Sequence, residues 1–199
     1  MEIILLLALI AAGYLLYDNI MWRRERETLL NKLDSSNLRV FELMGGLDMR
    51  KFEVVKEEFR KVKDVEIQLP KRADTKSAGY DFYSPMDFTI MPGQTVIVPM
   101  DIKAKMEHDE VLLLYVRSSI GIKKHIVLAN GTGVIDSSYY ANEDNDGNIC
   151  GAFTNLGTEP QTFKTGERLM QGMFVKYLTT TDDEPTSTTR TGGIGSSGK

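Results

Sequence analysis

Hydrophobic positions follow two different patterns along the chain, and the pattern changes near Val65. Residues 3–17 form an unbroken apolar run, whereas residues 23–33 are strongly charged. Further on, apolar residues recur at spacings of three and four, as on one face of a helix, at Phe52, Val55, Phe59 and Val62. Residues 51–55 are equally compatible with the start of a strand. We therefore expect residues 23–64 to be a connector or stalk that is partly helical.

Beyond Val65, short stretches of β-branched and aromatic residues alternate with turns that contain Gly and Pro. The candidate strands are residues 65–69, 88–90, 95–99, 111–116, 126–128, 134–135, 162–163 and 169–177, with another around Phe153. Asn130-Gly131-Thr132-Gly133 lies between two of them and is typical of a β-hairpin turn. Many short strands without a long helix predict an all-β sandwich, jelly roll or barrel.

The apolar N-terminal run has several features of a membrane anchor. Counted through Met21, it reaches the length of about 17–25 residues that a transmembrane helix needs. Trp22 suits the membrane interface, and the arginines in residues 23–26 would keep that side in the cytoplasm. A helix that lies on an interface or packs in an oligomer, and a signal-like segment, are the alternatives. We expect residues 1–22 to be an anchor helix that contacts a membrane through residues 3–21, with a cytoplasmic catalytic domain.

The composition is that of a globular protein, with 42% hydrophobic and 26% charged residues. The net charge of -4 argues against nucleic-acid binding, which normally needs a basic surplus. The single cysteine, Cys150, cannot form an intrachain disulfide and is expected to be a small buried hydrophobe. Two histidines without a Cys/His cluster argue against zinc, whereas pairs of carboxylates are compatible with Mg²⁺.

The C-terminal residues are polar and then rich in glycine. Residues 179–189 consist mainly of Thr, Asp and Ser and cannot bury a core. Residues 190–199 read Arg-Thr-Gly-Gly-Ile-Gly-Ser-Ser-Gly-Lys. One interpretation is a disordered tail. The other is a flexible arm that cradles phosphate, because glycines allow backbone N–H groups to converge on an anion.

Four segments of the β region carry residues suited to phosphate and water chemistry. They are Ala-Gly-Tyr-Asp at 78–81, Arg-Ser-Ser at 117–119, Gly-Val-Ile-Asp-Ser-Ser-Tyr at 133–139 and Gly-Glu-Arg-Leu-Met-Gln at 166–171. Taken singly, each has a structural explanation, such as a turn residue for Asp81 or a local cap for Asp136. Together with the glycine-rich tail, in this order and spacing, they resemble the five motifs of the trimeric dUTPase family.

The resemblance implies a distorted β jelly roll that assembles as a homotrimer, with active sites shared between subunits. It implies hydrolysis of dUTP to dUMP and pyrophosphate with Mg²⁺ as cofactor, which limits uracil in DNA and supplies dUMP for dTMP synthesis. The β domain is expected at residues 65–178. Residues 179–199 would be the flexible arm that completes the site.

The same resemblance assigns roles to individual residues. Asp136 would be the general base that activates the attacking water. Asp81 would contact Mg²⁺ through bound water, and Arg168 would be structural, paired with a carboxylate in the trimer. The implied substrate-binding residues are Arg117, Ser118, Ser119, Asn130, Gly133, Val134, Ile135, Tyr139, Gln171, Arg190, Ile194, Gly195 and Ser196. Within this set, Asn130 and the backbone at 133–134 would bind uracil, and Tyr139 would pack under the deoxyribose.

The sequence also departs from the family pattern. Ile194 occupies the position of an aromatic residue that stacks on uracil. Residues 142–148 look like an inserted acidic turn, and without the distal Glu of a calcium loop they are expected to be solvated. A dCTP deaminase is one rival function, but residues 149–155 lack the carboxylate that it requires. A membrane-tethered dUTP sensor without turnover is the other, and it would not need a base at Asp136.

Overall fold

The computed structural model describes residue 28 and residues 50–184. The chain divides into two units, residues 1–48 and residues 49–199, and the architecture below is that of the second. The expected anchor at residues 3–21 and the expected arm residues 190–199 lie outside the described residues, so both stay predictions. Among the residues described, no helix is long and apolar enough to cross a membrane.

Residues 50–184 form a succession of short strands with little helix. The strands are β1 (Lys51–Val54), β2 (Lys71–Arg72), β3 (Tyr80–Tyr83), β4 (Phe88–Ile90), β5 (Thr95–Pro99), β6 (Ile102–Lys105), β7 (Glu110–Val116), β8 (Ile126–Leu128), β9 (Gly133–Asp136), β10 (Cys150–Asn155), β11 (Gln161–Phe163) and β12 (Arg168–Lys176). One α-helix, α1 (Ser118–Lys124), follows β7, and 3₁₀ turns occupy Glu57–Phe59 and Ser137–Tyr139. The predicted all-β class is confirmed for this part of the chain.

The strands pair antiparallel in four sheets. The largest has the order β2-β3-β12-β7-β9, and a second has the order β5-β10-β8. Two pairs, β1-β6 and β4-β11, complete the unit. The longest pairing joins β7 to β12, from Val116 opposite Met170 to Glu110 opposite Lys176. This pairing fixes the strand to which both β9 and Arg117 are attached.

The core is formed by the inward faces of these sheets. Alternation along β7 buries Leu112 and Leu114, and Phe82 of β3 is buried with them in the same hydrophobic cluster. The facing sheet contributes Phe153 of β10 and Ile126 of β8. Burial of each such side chain contributes about 1.5–3 kcal/mol, so the positions of β7 and β10 are strongly determined.

Residues 51–64 belong to this β unit, although the sequence assigned them to the connector. β1 pairs with β6, and the Phe52 ring lies 5.3–5.4 Å from the rings of Tyr80, Phe82 and Phe174. Asp101 then accepts the backbone N–H groups of residues 61 and 62. Strand pairing and burial of one aromatic face therefore outweigh the helical spacing, and the expected boundary at Val65 falls inside the unit.

Two other expectations about the strands are wrong. Residues 65–69 alternate but pair with no strand in the described part of the chain, and Ile67 alone packs partly against the core. The segments around Asn130 do not form a hairpin, because β8 pairs with β10 whereas β9 pairs with β7. The turn at 129–132 instead carries the chain from one sheet to the other.

Candidate active site

A pocket of about 340 Å³ opens where β9 and β7 meet the sheet of β5, β10 and β8. We call it the β9 pocket. It gathers five of the predicted site residues, namely Asn130, Gly133, Val134, Ile135 and Tyr139. Its other walls are mostly apolar and come from Ile97, Leu114, Leu128, Ala129, Cys150 and Ala152. This combination of apolar walls with a few polar groups is typical of a site for a small organic ligand.

The six other residues that line the β9 pocket were not predicted from the sequence. Ile97, Leu128 and Ala152 follow ordinary strand alternation, which does not distinguish a pocket wall from the core. The 60% exposure of Ile97 is the structural sign that this rim is open. Burial raises the pKa of the Cys150 thiol, so this residue is a neutral part of the wall.

Gly133 allows β9 to lie close to β7 at the mouth of this pocket. A Cβ atom at this position would lie 2.9 Å from Cβ of Leu114, the residue directly opposite in the ladder. Any larger residue would push the start of β9 away from β7. The glycine therefore keeps the backbone of β9 at the pocket surface.

Tyr139 is buried and held at its hydroxyl group. This hydroxyl donates to the carbonyl oxygen of Asn148 at 2.9 Å and accepts from Nδ2 of Asn145 at 2.7 Å. Both partners belong to the turn 142–148, which was expected to be solvated. That expectation is wrong for half of the turn, because Asn142, Asp146 and Asn148 are buried.

Asp136 ends β9 and immediately precedes the 3₁₀ turn that carries Tyr139. Its side chain is exposed, beside the last β9 residue that lines the pocket, Ile135. A carboxylate that is accessible to solvent can accept a hydrogen bond from water, which is one requirement for a general base.

A second cavity, of about 380 Å³, contains Asp81, Arg117 and Gln171. We call it the Arg117 pocket. Oδ1 of Asp81 binds Nε of Arg117 at 2.8 Å, and Oδ2 binds a terminal nitrogen of Arg168 at 3.2 Å. The Asp81 side chain is only 9% exposed, whereas those of the two arginines are 26% and 46% exposed. The buried carboxylate therefore fixes two guanidinium groups that still face solvent.

The remaining predicted residues separate into two groups. Ser118 and Ser119 are exposed at the start of α1, directly after Arg117, and Ser119 shares a further cavity with Arg117 and Arg168. The arm residues Arg190, Ile194, Gly195 and Ser196 lie outside the described residues. The partner of Arg168 in this chain is Asp81.

Asp136 and Arg117 are far apart within one chain. Asp136 lies opposite Val111 on β7, and Arg117 follows the far end of that strand. Six residues of extended strand span about 20 Å. A general base and an arginine acting on the same small group must be much closer than this, so one chain by itself does not assemble these residues around one ligand.

Comparison with known proteins identifies relatives of the whole β region. The dUTPase family model matches residues 65–198. The deoxyuridine 5'-triphosphate nucleotidohydrolase of Lactococcus lactis is 40% identical over 153 residues, which cover 76% of this chain and 99% of the relative. The enzyme of the same name from Desulfitobacterium hafniense is 36% identical over 145 residues, covering 68% of this chain and 91% of its own.

Solved structures agree with this result. The dUTPase of Streptococcus mutans is 38% identical and superimposes with a TM-score of 0.58, covering 65% of this chain and 97% of its own. The dUTPase of phage phi11 of S. aureus shares the fold at 19% identity and a TM-score of 0.55, over 71% of this chain and 99% of its own. A mutant of that phage enzyme coordinates a structural Mg(II) ion.

Proposed function

Since the chain belongs to the dUTPase family and hydrolyses dUTP to dUMP, we propose that the β9 pocket binds deoxyuridine and that Asp136 activates the attacking water. The observation that carries this proposal is that five predicted residues line one pocket whose last β9 residue adjoins Asp136. The sequence resemblance implied these roles. The grouping of five of these residues in one pocket supports the proposal.

In this proposal the base is recognised by Asn130 and by the backbone at residues 133–134. The close approach of β9 to β7 keeps that backbone fixed, so its amide donors and acceptors can distinguish uracil from cytosine. Tyr139 packs under the sugar. A ribose 2'-hydroxyl would collide with its ring, which disfavours ribonucleotides.

The phosphate chain is assigned to Arg117, Ser118, Ser119 and Gln171, with Arg190 on the arm. The Arg117 guanidinium is oriented by Asp81 and keeps part of its surface open, which suits charge-assisted hydrogen bonds to phosphate oxygens. Ile194, Gly195 and Ser196 would cover the bound nucleotide from the arm. A branched apolar residue at 194 covers the base without aromatic stacking.

The chemical step is an in-line displacement at the α-phosphorus. Asp136 takes a proton from the water molecule as its oxygen forms a bond to phosphorus, and the bond from the α-phosphorus to the bridging oxygen breaks. Pyrophosphate leaves with that oxygen. Arg117 and the serines stabilise the charge that develops on the phosphate oxygens.

Mg²⁺ fits this arrangement as a cofactor that is held mainly by the substrate. The described residues contain no group of three or more His, Cys, Asp or Glu able to hold a metal. Each oxygen of Asp81 binds one arginine, which leaves lone pairs that can accept hydrogen bonds from metal-bound water. When bound, the ion would neutralise charge on the triphosphate.

A homotrimer is the assembly that we propose. It would bring Asp136 of one chain to the Arg117 pocket of another and so close the gap of about 20 Å within a chain. The two rival functions lack such support. β10 offers no carboxylate for a deaminase, and the family relationship favours turnover over sensing.

The general-base role is tested by Asp136→Asn. We expect dUTP hydrolysis to fall by about 100-fold or more, the usual scale for loss of a general base, while dUTP still binds. Turnover is measured by pyrophosphate release, and binding by calorimetry with a non-hydrolysable dUTP analogue. Asp64→Asn, which removes an exposed carboxylate from the chain before β2 and outside both pockets, is the matched control and should keep wild-type turnover. Full activity of Asp136→Asn would exclude the proposed mechanism.

A further inference from the structure

The turn at residues 142–148 closes around Tyr139 from several sides. Nδ2 of Asn142 donates to the carbonyl oxygen of Tyr139 at 2.8 Å. Nδ2 of Asn145 donates to the Tyr139 hydroxyl at 2.7 Å, and this hydroxyl donates to the carbonyl of Asn148 at 2.9 Å. Both ends of the tyrosine, its backbone and its phenol, are therefore tied to the same turn.

Asn145 is itself fixed by its neighbours in the turn. Its Oδ1 accepts from Nδ2 of Asn142 at 2.8 Å and from the backbone N–H of Gly147 at 3.0 Å. Gly147 has φ of +81°, and a Cβ atom there would lie 2.8 Å from the carbonyl oxygen of Tyr139. The amide of Asn145 thus presents its NH₂ group to the phenol in a closely fitted loop.

The far side of the turn is attached to the rest of the unit. Oδ2 of Asp146 binds Nζ of Lys103 at 2.8 Å and the backbone N–H of Lys56 at 2.8 Å. The Asn148 side chain exchanges hydrogen bonds with Asp101 at 3.0 and 2.8 Å. The turn therefore cannot follow a moving tyrosine, and it acts as a fixed support.

We propose that Asn145 is a specificity-determining positioning residue, which holds the Tyr139 ring where it excludes a ribose 2'-hydroxyl. The inference rests on the proposed function of the β9 pocket. Exclusion of one hydroxyl depends on the ring position to a fraction of an ångström, and a ring that can tilt makes room for it. Asn145 does not touch the substrate in this scheme and acts only through Tyr139.

The decisive variant is Asn145→Asp. It keeps the size of the side chain and the Oδ1 acceptor for Asn142 and Gly147, but it replaces the donor to the phenol by an acceptor. The single hydroxyl proton can then serve either residue 145 or the carbonyl of Asn148, so one of the two hydrogen bonds is lost. The dUTP/UTP selectivity, taken as the ratio of kcat/KM values, should fall by about fivefold or more, the scale of one hydrogen bond. The fall should come from faster use of UTP and from a higher KM for dUTP, with kcat for dUTP little changed.

Four further proteins complete the experiment. Asn145→Ala and Tyr139→Phe should lower the selectivity by a similar factor. Tyr139→Phe combined with Asn145→Asp should lower it no further than Tyr139→Phe alone, because without the hydroxyl residue 145 has no group to hold. Asp144→Asn, an exposed position in the same turn, should keep wild-type selectivity.

Unchanged selectivity in a folded Asn145→Asp or Asn145→Ala protein would overturn the proposal, as would an equal loss in Asp144→Asn. If neither Asn145 variant folds, Tyr139→Phe decides, and wild-type selectivity in that protein rejects the inference. Different observations would show that the proposed function itself is wrong. In that case the unmodified protein itself would not prefer dUTP to UTP, or Asp136→Asn would remain active.

Discussion

At the scale of single residues, the buried side chain of Asp81 lies between two arginines whose side chains are more exposed. Its two oxygens bind different guanidinium groups, those of Arg117 and Arg168. Because the carboxylate has little contact with water, its hydrogen bonds to the arginines are its main stabilisation. The side chain that the sequence assigned to metal-bound water is therefore first of all a support for Arg117.

This arrangement predicts the effect of Asp81→Asn. The change keeps the shape of the side chain but removes the charge that fixes both arginines, so the free energy of unfolding should fall by about 1.5–3 kcal/mol. A less ordered Arg117 should also raise KM for dUTP by about tenfold, since ordering must then be provided by binding. Urea unfolding and steady-state kinetics measure the two effects.

Asp109→Asn is the control for this prediction. Asp109 also pairs with a cation, Lys176 at 2.7 Å, but on the exposed surface and away from the Arg117 pocket. Its loss should leave stability and KM near the wild-type values. Equal effects of the two substitutions would contradict the special role of Asp81.

At the scale of elements, β1 attaches the segment before residue 65 to the site. Glu53 of β1 accepts a hydrogen bond from the Tyr140 hydroxyl, directly after the 3₁₀ turn of Tyr139. Lys103 of β6 lies over the Tyr140 ring. A segment that resembles a connector in the sequence thus supports the residue next to Tyr139.

The contact between Glu53 and Tyr140 predicts a pH dependence of stability. The hydrogen bond to Glu53, together with burial, raises the pKa of Tyr140 to about 12 from an ordinary value of 10. The folded state therefore favours the neutral phenol, and this contribution is complete below pH 10 and is lost as the pH rises toward 12. Comparison with Tyr140→Phe isolates it, because that variant lacks only the phenol hydroxyl.

The difference in unfolding free energy between the wild type and Tyr140→Phe should accordingly shrink from pH 9 to about pH 12. In a Glu53→Gln background the same difference should be small already at pH 8. Urea unfolding at several pH values provides the measurement. A difference that stays constant across this range would mean that Glu53 does not support the phenol.

The sequence predicts those strands whose hydrophobic pattern is local, and it does not predict pairings that depend on distant residues. β4, β5, β7 and β8 follow local alternation and apolar runs, and they form where expected. The pairing of β9 with β7 rather than with β8 is decided by packing across the sheets, which the turn residues between them do not reveal. The role of Asn145 was equally hidden, because its partner Tyr139 is recognised only when the turn is folded.

At the scale of the whole molecule, Asp136 and Arg117 lie about 20 Å apart in a single chain. Asp136 lies at one end of β7 and Arg117 at the other, and the pairing of β7 with β12 fixes the length between them. The five motifs could be recognised in the sequence because each is short and continuous. The division of the four described motifs between two pockets could not, since it depends on how the strands that carry them pair.

A mixing experiment tests whether sites are shared between chains. In the proposed trimer, the Asp136→Asn and Arg117→Ala proteins should each be nearly inactive. Trimers that contain both variants should have about a third of wild-type activity, because one of their three sites takes Asp136 from one chain and Arg117 from another. Differently tagged chains allow these mixed trimers to be purified after co-expression and before dUTP turnover is measured. If both residues came from the same chain, no site in any mixed trimer would be intact, and activity would stay at the level of the two inactive parents.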